Sequence, residues 1–158
     1  MKCTVCGLGT AKKVTRRNYQ ARYNGEPVEV PSVEMFHCDD CVVDFLTPEQ
    51  ARAYSRAVKN EVRKRFGLLP PERITAIREK VGLTQARLEE LLGQGPKVVV
   101  RWESGKVIQS KAADTVLRLL EREPDLAKEL REIEKQRAKQ QEQYAARQAV
   151  SGAHPATR

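Results

Sequence analysis

The chain has 158 residues, 32% of them charged and only 5% aromatic, and a formal net charge of +8. No apolar run approaches the 18 or so residues of a membrane helix, so a soluble protein is expected. The length suits one domain or two small ones. The excess of cations suits a polyanion such as a phosphate backbone, although Lys- and Arg-rich helices are also simply solvated.

That charge is unevenly spread. Residues 1–46 carry equal numbers of cations and carboxylates, residues 47–69 carry six cations against two, and the stretch from 126 carries seven against four. A neutral head on a basic middle and tail points to different partners for different parts.

At the start of the chain come Cys3-Thr4-Val5-Cys6 and, 31 residues later, Cys38-Asp39-Asp40-Cys41; the protein has four cysteines in all. A Cys-x-x-Cys turn places two thiolates on one side of a tight loop, and two such turns supply the tetrahedral sulfur set that Zn²⁺ prefers. Disulfides would suit an exported domain, but Met1-Lys2 runs directly into the first ligand without the pattern of a signal peptide. A redox pair needs one Cys-x-x-Cys at a helix start in a βαβ context, which the matched pairs do not offer. One structural Zn²⁺ on Cys3, Cys6, Cys38 and Cys41 is therefore expected, with no coordination position open for catalysis. His37 is read as a neighbour of the site rather than a ligand.

The insert between the pairs carries Asn24-Gly25, a dipeptide suited to a type I′ turn, between two strand-like stretches. Thr15, Arg17, Tyr19, Ala21 and Tyr23 are predicted to share one face of the first. Val28, Val30, Val33 and Phe36 mark the second. Thr47-Pro48-Glu49 then starts a basic helix expected to run to Phe66, with Ala53, Ala57, Val58, Val62 and Phe66 as its apolar stripe. Gly67 and Leu68-Leu69-Pro70-Pro71 break the chain.

Five further helices are predicted. The first, 72–80, carries Ile74 and Ile77. Thr84 caps the second, 85–92, with Ala86, Leu88, Leu91 and Leu92 inward. Pro96 opens the third, 97–104, and Ser110 caps the fourth, 111–123. The fifth starts at Pro124 and extends past Glu134, while residues 150–158 have a disordered composition. The fold class is α+β: an N-terminal zinc ribbon with a β-hairpin (1–46), a basic helix and linker (47–70), an all-α domain of five helices (71–134) and a polar tail, helical or disordered (135–158).

The second and third of these helices, joined by a short Gly-containing turn, match a helix-turn-helix, whose second helix enters the major groove of DNA. Lys97 and Arg101 share one face of it and suit guanine edges or phosphates; a solvated charge is the alternative for each. Val100 is placed for a thymine methyl. Gln85, Lys106 and Lys111 are placed for phosphates. Val98 and Trp102 are expected in the core, and Glu103 in a structural pair with Arg78 or Arg101. No Ser/His/Asp set and no paired acid and base are present, so an enzyme is not expected.

Leu83-Thr84-Gln85 followed by Arg101-Trp102-Glu103-Ser104-Gly105 resembles the helix-turn-helix of the Xre/Cro repressor superfamily. Preceded by the two-knuckle ribbon, it resembles the MqsA family of antitoxins, with a YgiT-type ribbon, over roughly residues 1–130. The resemblance implies a dimeric repressor, joined through its C-terminal domain, that binds a palindromic operator of its own operon. It also implies a type II toxin–antitoxin system in which the zinc domain or its surroundings neutralises a toxin, often a ribonuclease, in the cytoplasm. The family's base-reading pair is Asn and Arg at positions matching Lys97 and Arg101, so Lys97 departs from the pattern. The rival reading is a stand-alone regulator of a phage or mobile element whose ribbon is a second nucleic-acid surface.

Overall fold

The structure, a computed structural model, describes residues 1–151; the stretch of expected disorder lies almost wholly outside them. Three strands, β1 (Ala11–Tyr23), β2 (Glu26–Cys38) and β3 (Val43–Phe45), precede six helices: α1 (Pro48–Phe66), α2 (Pro71–Lys80), α3 (Gln85–Leu91), α4 (Val98–Glu103), α5 (Lys111–Arg122) and α6 (Leu126–Ser151). The architecture is α+β, a three-stranded antiparallel sheet of order β1-β2-β3 and then a helical domain.

Asn24 (φ 50°) and Gly25 (φ 87°) turn β1 into β2 in the left-handed backbone that this dipeptide tolerates. The register runs from Tyr23 opposite Glu26 to Ala11 opposite Cys38. Alternation breaks once on each strand, at facing positions. On β2 the buried residues are Val28 and Val30, then Val33 and Met35; on β1 the inward set is Tyr19, Ala21 and Tyr23, but Val14 and Arg16 beyond Asn18. Asn18 has φ 48° and faces Pro31, which brings no N–H to the ladder. The expectations for Thr15, Arg17 and Phe36 follow an unbroken period of two and are corrected here: Thr15 and Arg17 are exposed, and Met35 takes the buried place given to Phe36.

Thr47 caps α1 in a reciprocal capping box with Gln50. The helix buries Val58 and Val62 against Val28, Val30, Val33 and Met35, and Tyr54 meets Tyr19 edge to face at 5.8 Å. Ala53 and Phe66, expected in its apolar stripe, are exposed. The basic helix is thus packed on the sheet along its middle turns.

A second core is formed by Leu69, Ile74, Ile77, Leu83, Leu88, Leu91, Val99, Trp102, Ala113, Leu117, Leu120 and Ala127. Thr84 and Ser110 cap α3 and α5 through their hydroxyls. Ala86, expected inside, is exposed. The helix expected over 97–104 is shorter, because Lys97 lies outside it with φ 62°. Buried Glu89 of α3 caps it instead, accepting from the N–H groups of Lys97 and Val99 at 3.0 Å each. That carboxylate aligns α4 so that Val99, with Trp102, faces the core, while Val98 is only partly buried.

Between the cores the chain turns at Gly67 (φ 62°). Leu69 is clamped on both backbone sides: its N–H donates to Asp114 Oδ1 at 2.8 Å and its carbonyl accepts from Gln109 at 2.7 Å. Arg118 donates to Gly67 O at 2.7 Å. Among the described residues, no helix is long and apolar enough to cross a membrane.

Candidate functional site

Two surfaces carry chemistry. The first is the cysteine cluster at the end of the sheet remote from the hairpin turn. Cys38 ends β2, Cys41 lies in the turn to β3, and Cys3 and Cys6 belong to a loop that a Lys2–Thr10 bridge and the Cys3 N–H to Gly9 O bond (2.8 Å) hold against β1. All four sulfurs lie within 4.8 Å of one another. Cys3 and Cys41 are 3.7 Å apart and Cys6 and Cys38 are 3.9 Å apart. A tetrahedron of Zn–S bonds of about 2.3 Å requires sulfurs about 3.8 Å apart, so the set fits the ion.

The surroundings agree with that chemistry. Val5 and Gly9 N–H groups point to Cys3 and Cys6 sulfur at 3.4 Å. The N–H groups of Gly9 and Leu8 pull the Cys6 thiol down to about 6, whereas burial and the neighbouring sulfurs push Cys41 up to about 12. Thiols so crowded ionise together only when a cation shares their charge. Gly9 is required by space: a Cβ there would lie 2.7 Å from Cys38 sulfur and collide with the Asp40 carboxylate. Phe36 and Phe45 stack at 5.8 Å beside the cluster. His37 is not among the ligand atoms; its Nδ1 is 2.6 Å from Asp44 Oδ1, and Arg16 completes the contact at 3.0 Å. The arginine, then the histidine, hold the Asp44 carboxyl below its ordinary value.

The second surface is formed by α3, α4 and the segment that follows. Val100 and Arg101 are exposed on α4, Lys97 is exposed just before it, and Lys106 and Lys111 are exposed after it. Trp102 is 2% exposed, in the core as expected. Gln85 is partly buried, and its amide donates to Glu103 at 2.6 Å. Glu103 also pairs with Arg78, at 2.6 Å to Nε and 3.3 Å to Nη2, one of the two partners its acidity suggested. Lys111 sits 5.7 Å over the Phe66 ring, a contact that no local pattern announces. Sequence reasoning also missed Glu89, Asp114 and Gln109, buried polar residues whose partners lie up to 45 positions away.

A four-cysteine sheet unit followed by a helical domain defines the class, an α+β protein with a metal-ligand set at its head. The chain belongs to the family described as the antitoxin component of bacterial toxin–antitoxin systems, MqsA, whose sequence model matches residues 1–131. It is similar to Antitoxin MqsA of Escherichia coli (strain K12), with 26% identity over 132 residues, 83% of this chain and 100% of that protein.

Proposed function

We propose that the chain is a dimeric, non-enzymatic antitoxin that neutralises a partner toxin and represses its own operon by binding a palindromic operator through α3 and α4. One structural Zn²⁺ held by Cys3, Cys6, Cys38 and Cys41 maintains the head, which is electrically balanced and suits a protein partner better than a nucleic acid. Bound there, the ion supplies folding energy and no open coordination position.

The observation that carries the DNA-binding half is the distribution of free cations. Among the described residues no carboxylate lies within 4.0 Å of Lys97, Arg101, Lys106, Arg52, Arg56 or Lys59. Half of the other Lys and Arg side chains among the described residues have one within 4.0 Å, from Lys12 with Asp39 to Arg118 with Asp114, so it is the clustering of unpaired cations in one place that sets this surface apart. Four of the six unpaired cations, Arg52, Arg56, Lys59 and Lys106, line with Ser104 an open groove of about 310 Å³ where the exposed side of α1 meets the end of α4. Cations left unpaired by the protein suit phosphates. Arg101 is the base-reading residue in this proposal, with Val100 beside it; Lys97, Lys106 and Lys111 contact phosphates or base edges. Gln85 is held by Glu103 and reaches a phosphate only through its remaining amide atoms and backbone.

One recognition helix covers half of a two-fold site, so two chains are needed, about 34–36 Å apart. The half-exposed Leu119 and the partly buried Leu126 and Leu130 are candidates for the contact between them. Arg101→Ala should cost about 1–3 kcal/mol at one base pair of the operator and relax sequence preference there. An unchanged footprint and affinity, read by protection mapping and titration, overturns that assignment. Copurification with the product of the adjacent gene tests the toxin.

A further inference from the structure

Arg63, in the last turns of α1, is 2% exposed, yet among the described residues it has no carboxylate partner. Its Nη2 donates to Val107 O at 2.8 Å and its Nη1 to Asn60 Oδ1 at 3.2 Å, while Nε has no partner. Burying a guanidinium without a counter-ion is unfavourable. What its two remaining hydrogen bonds fix is a position.

The position it holds is the segment leaving α4. The N–H groups of Lys106 and Val107 both donate to Arg101 O, at 2.9 and 3.1 Å, so this segment continues the helix directly. Val107 O is the acceptor for Arg63. Ile108 packs into the core under the sheet, whereas Gln109 is bonded to Leu69 and Asp114 of the helical side. Three consecutive residues thus bind the end of α4 to both halves. The linker carbonyl at Gly67 and both backbone groups of Leu69 are anchored only to the helical side. Beside the contacts of Arg63 and Ile108, only peripheral ones cross the junction among the described residues, Lys111 over the Phe66 ring and the Arg56 stem near Gly105, so the Arg63 and Ile108 contacts are the buried ones that oppose a pivot about Gly67-Leu68.

We propose that Arg63 is a positioning residue, a latch that sets α1 and the sheet in one rigid frame with α4. The frame keeps Arg52, Arg56 and Lys59 beside Lys106 as a single preorganised phosphate-facing surface. The latch stands on the geometry of the junction; its consequence for DNA rests on the reading proposed above.

The test uses the full zinc-loaded chain. Backbone ¹⁵N relaxation reads the tumbling time of the sheet and of α2–α5 separately. With Arg63 they share one value, and Arg63→Met splits them while Trp102 emission and one zinc per chain are retained. Arg63→Lys, which still offers one donor to Val107 O, lies between. Operator affinity of Arg63→Met falls about tenfold, in line with the loss of one charged hydrogen bond. A single shared tumbling time in Arg63→Met overturns the latch. Split tumbling with unchanged affinity overturns the positioning role. If the chain with Arg63 binds no operator at all while Arg63→Met still splits the tumbling, the latch holds and the DNA-binding reading falls. Should Arg63→Met fail to fold, Ile108→Ala, which loosens the same junction from the other side, is read by the same two outcomes.

Discussion

Asp114 shows how a single side chain binds elements distant in the chain. One oxygen accepts from Leu69 N–H and Gln109, the other from Arg118 at 2.7 Å. Burial alone would raise its pKa, but Arg118, the Leu69 N–H and Gln109 outweigh it and hold the carboxyl below its ordinary 3.8. A depressed folded value means that the stability it contributes is fully present above the ordinary carboxylate range and is lost as pH falls through the lower folded value. Asp114→Ala should cost about 1–3 kcal/mol at neutral pH, and the deficit relative to the parent should shrink on acidification. Urea midpoints at pH 7 and below pH 4 check both statements. Gly9 works by what it lacks. Gly9→Ala presses a methyl carbon on Cys38 sulfur, and zinc affinity should fall on the order of 10–100-fold, as for other disturbed metal surroundings; competition with a chelating dye measures it.

The elements differ in what supports them. β1 and β2 form a long hairpin, but the sulfur cluster is a small core of its own, with Cys3, Ala11 and Cys38 buried and Phe36 and Phe45 against it. The remainder of the sheet packs on α1 instead. Zinc removal should therefore unfold the loop of residues 1–10 and the turn of residues 38–45 before the hairpin–α1 unit, and leave the helical domain intact. Trp102, the one tryptophan, lies in the helical core, so its emission should not change with chelator while amide exchange at the cysteine loops rises to unprotected rates. Loss of the Trp102 signal on chelation would show that the cores are one. The short α4, six residues from Val98 to Glu103, is below the length at which a helix holds itself. It depends on Glu89 at its start and on Trp102 and Val99 below.

For the molecule as a whole, the cores under the sheet and inside the helices are joined at a narrow junction, and α6 extends past both. The helix continues to Ser151, while the family match ends at residue 131. From Lys135 to Ala149 every side chain is exposed, so this part contributes nothing to either core. Deleting residues 139–158 should leave the melting temperature within about 2 °C, since surface changes away from packed features stay within about 0.5 kcal/mol. A larger fall, followed by circular dichroism, would reveal a contact made by this segment in the assembled protein.

What was legible in the sequence was local. The cysteine spacing, the Asn24-Gly25 turn, and the caps Thr47, Thr84 and Ser110 each act within a few residues, and with the family resemblance they define the α+β class and its order of parts. What depended on the folded chain was longer in range. The joint switch of face at Asn18 and Pro31 needs both strands in register, because neither residue alone says which face follows it. Ala86 reads as apolar and inward by period, but α3 turns only Leu88 and Leu91 fully to the core. Glu103 reads as a structural partner of Arg78 or Arg101; the choice of Arg78, and the added bond from Gln85, belong to packing 25 and 18 positions away. Arg63 reads as one more cation on a basic helix. Only the carbonyl of Val107, 44 residues on, makes it a buried tie between the two halves, because a partner that far along the chain is set by packing and leaves no periodic trace in sequence.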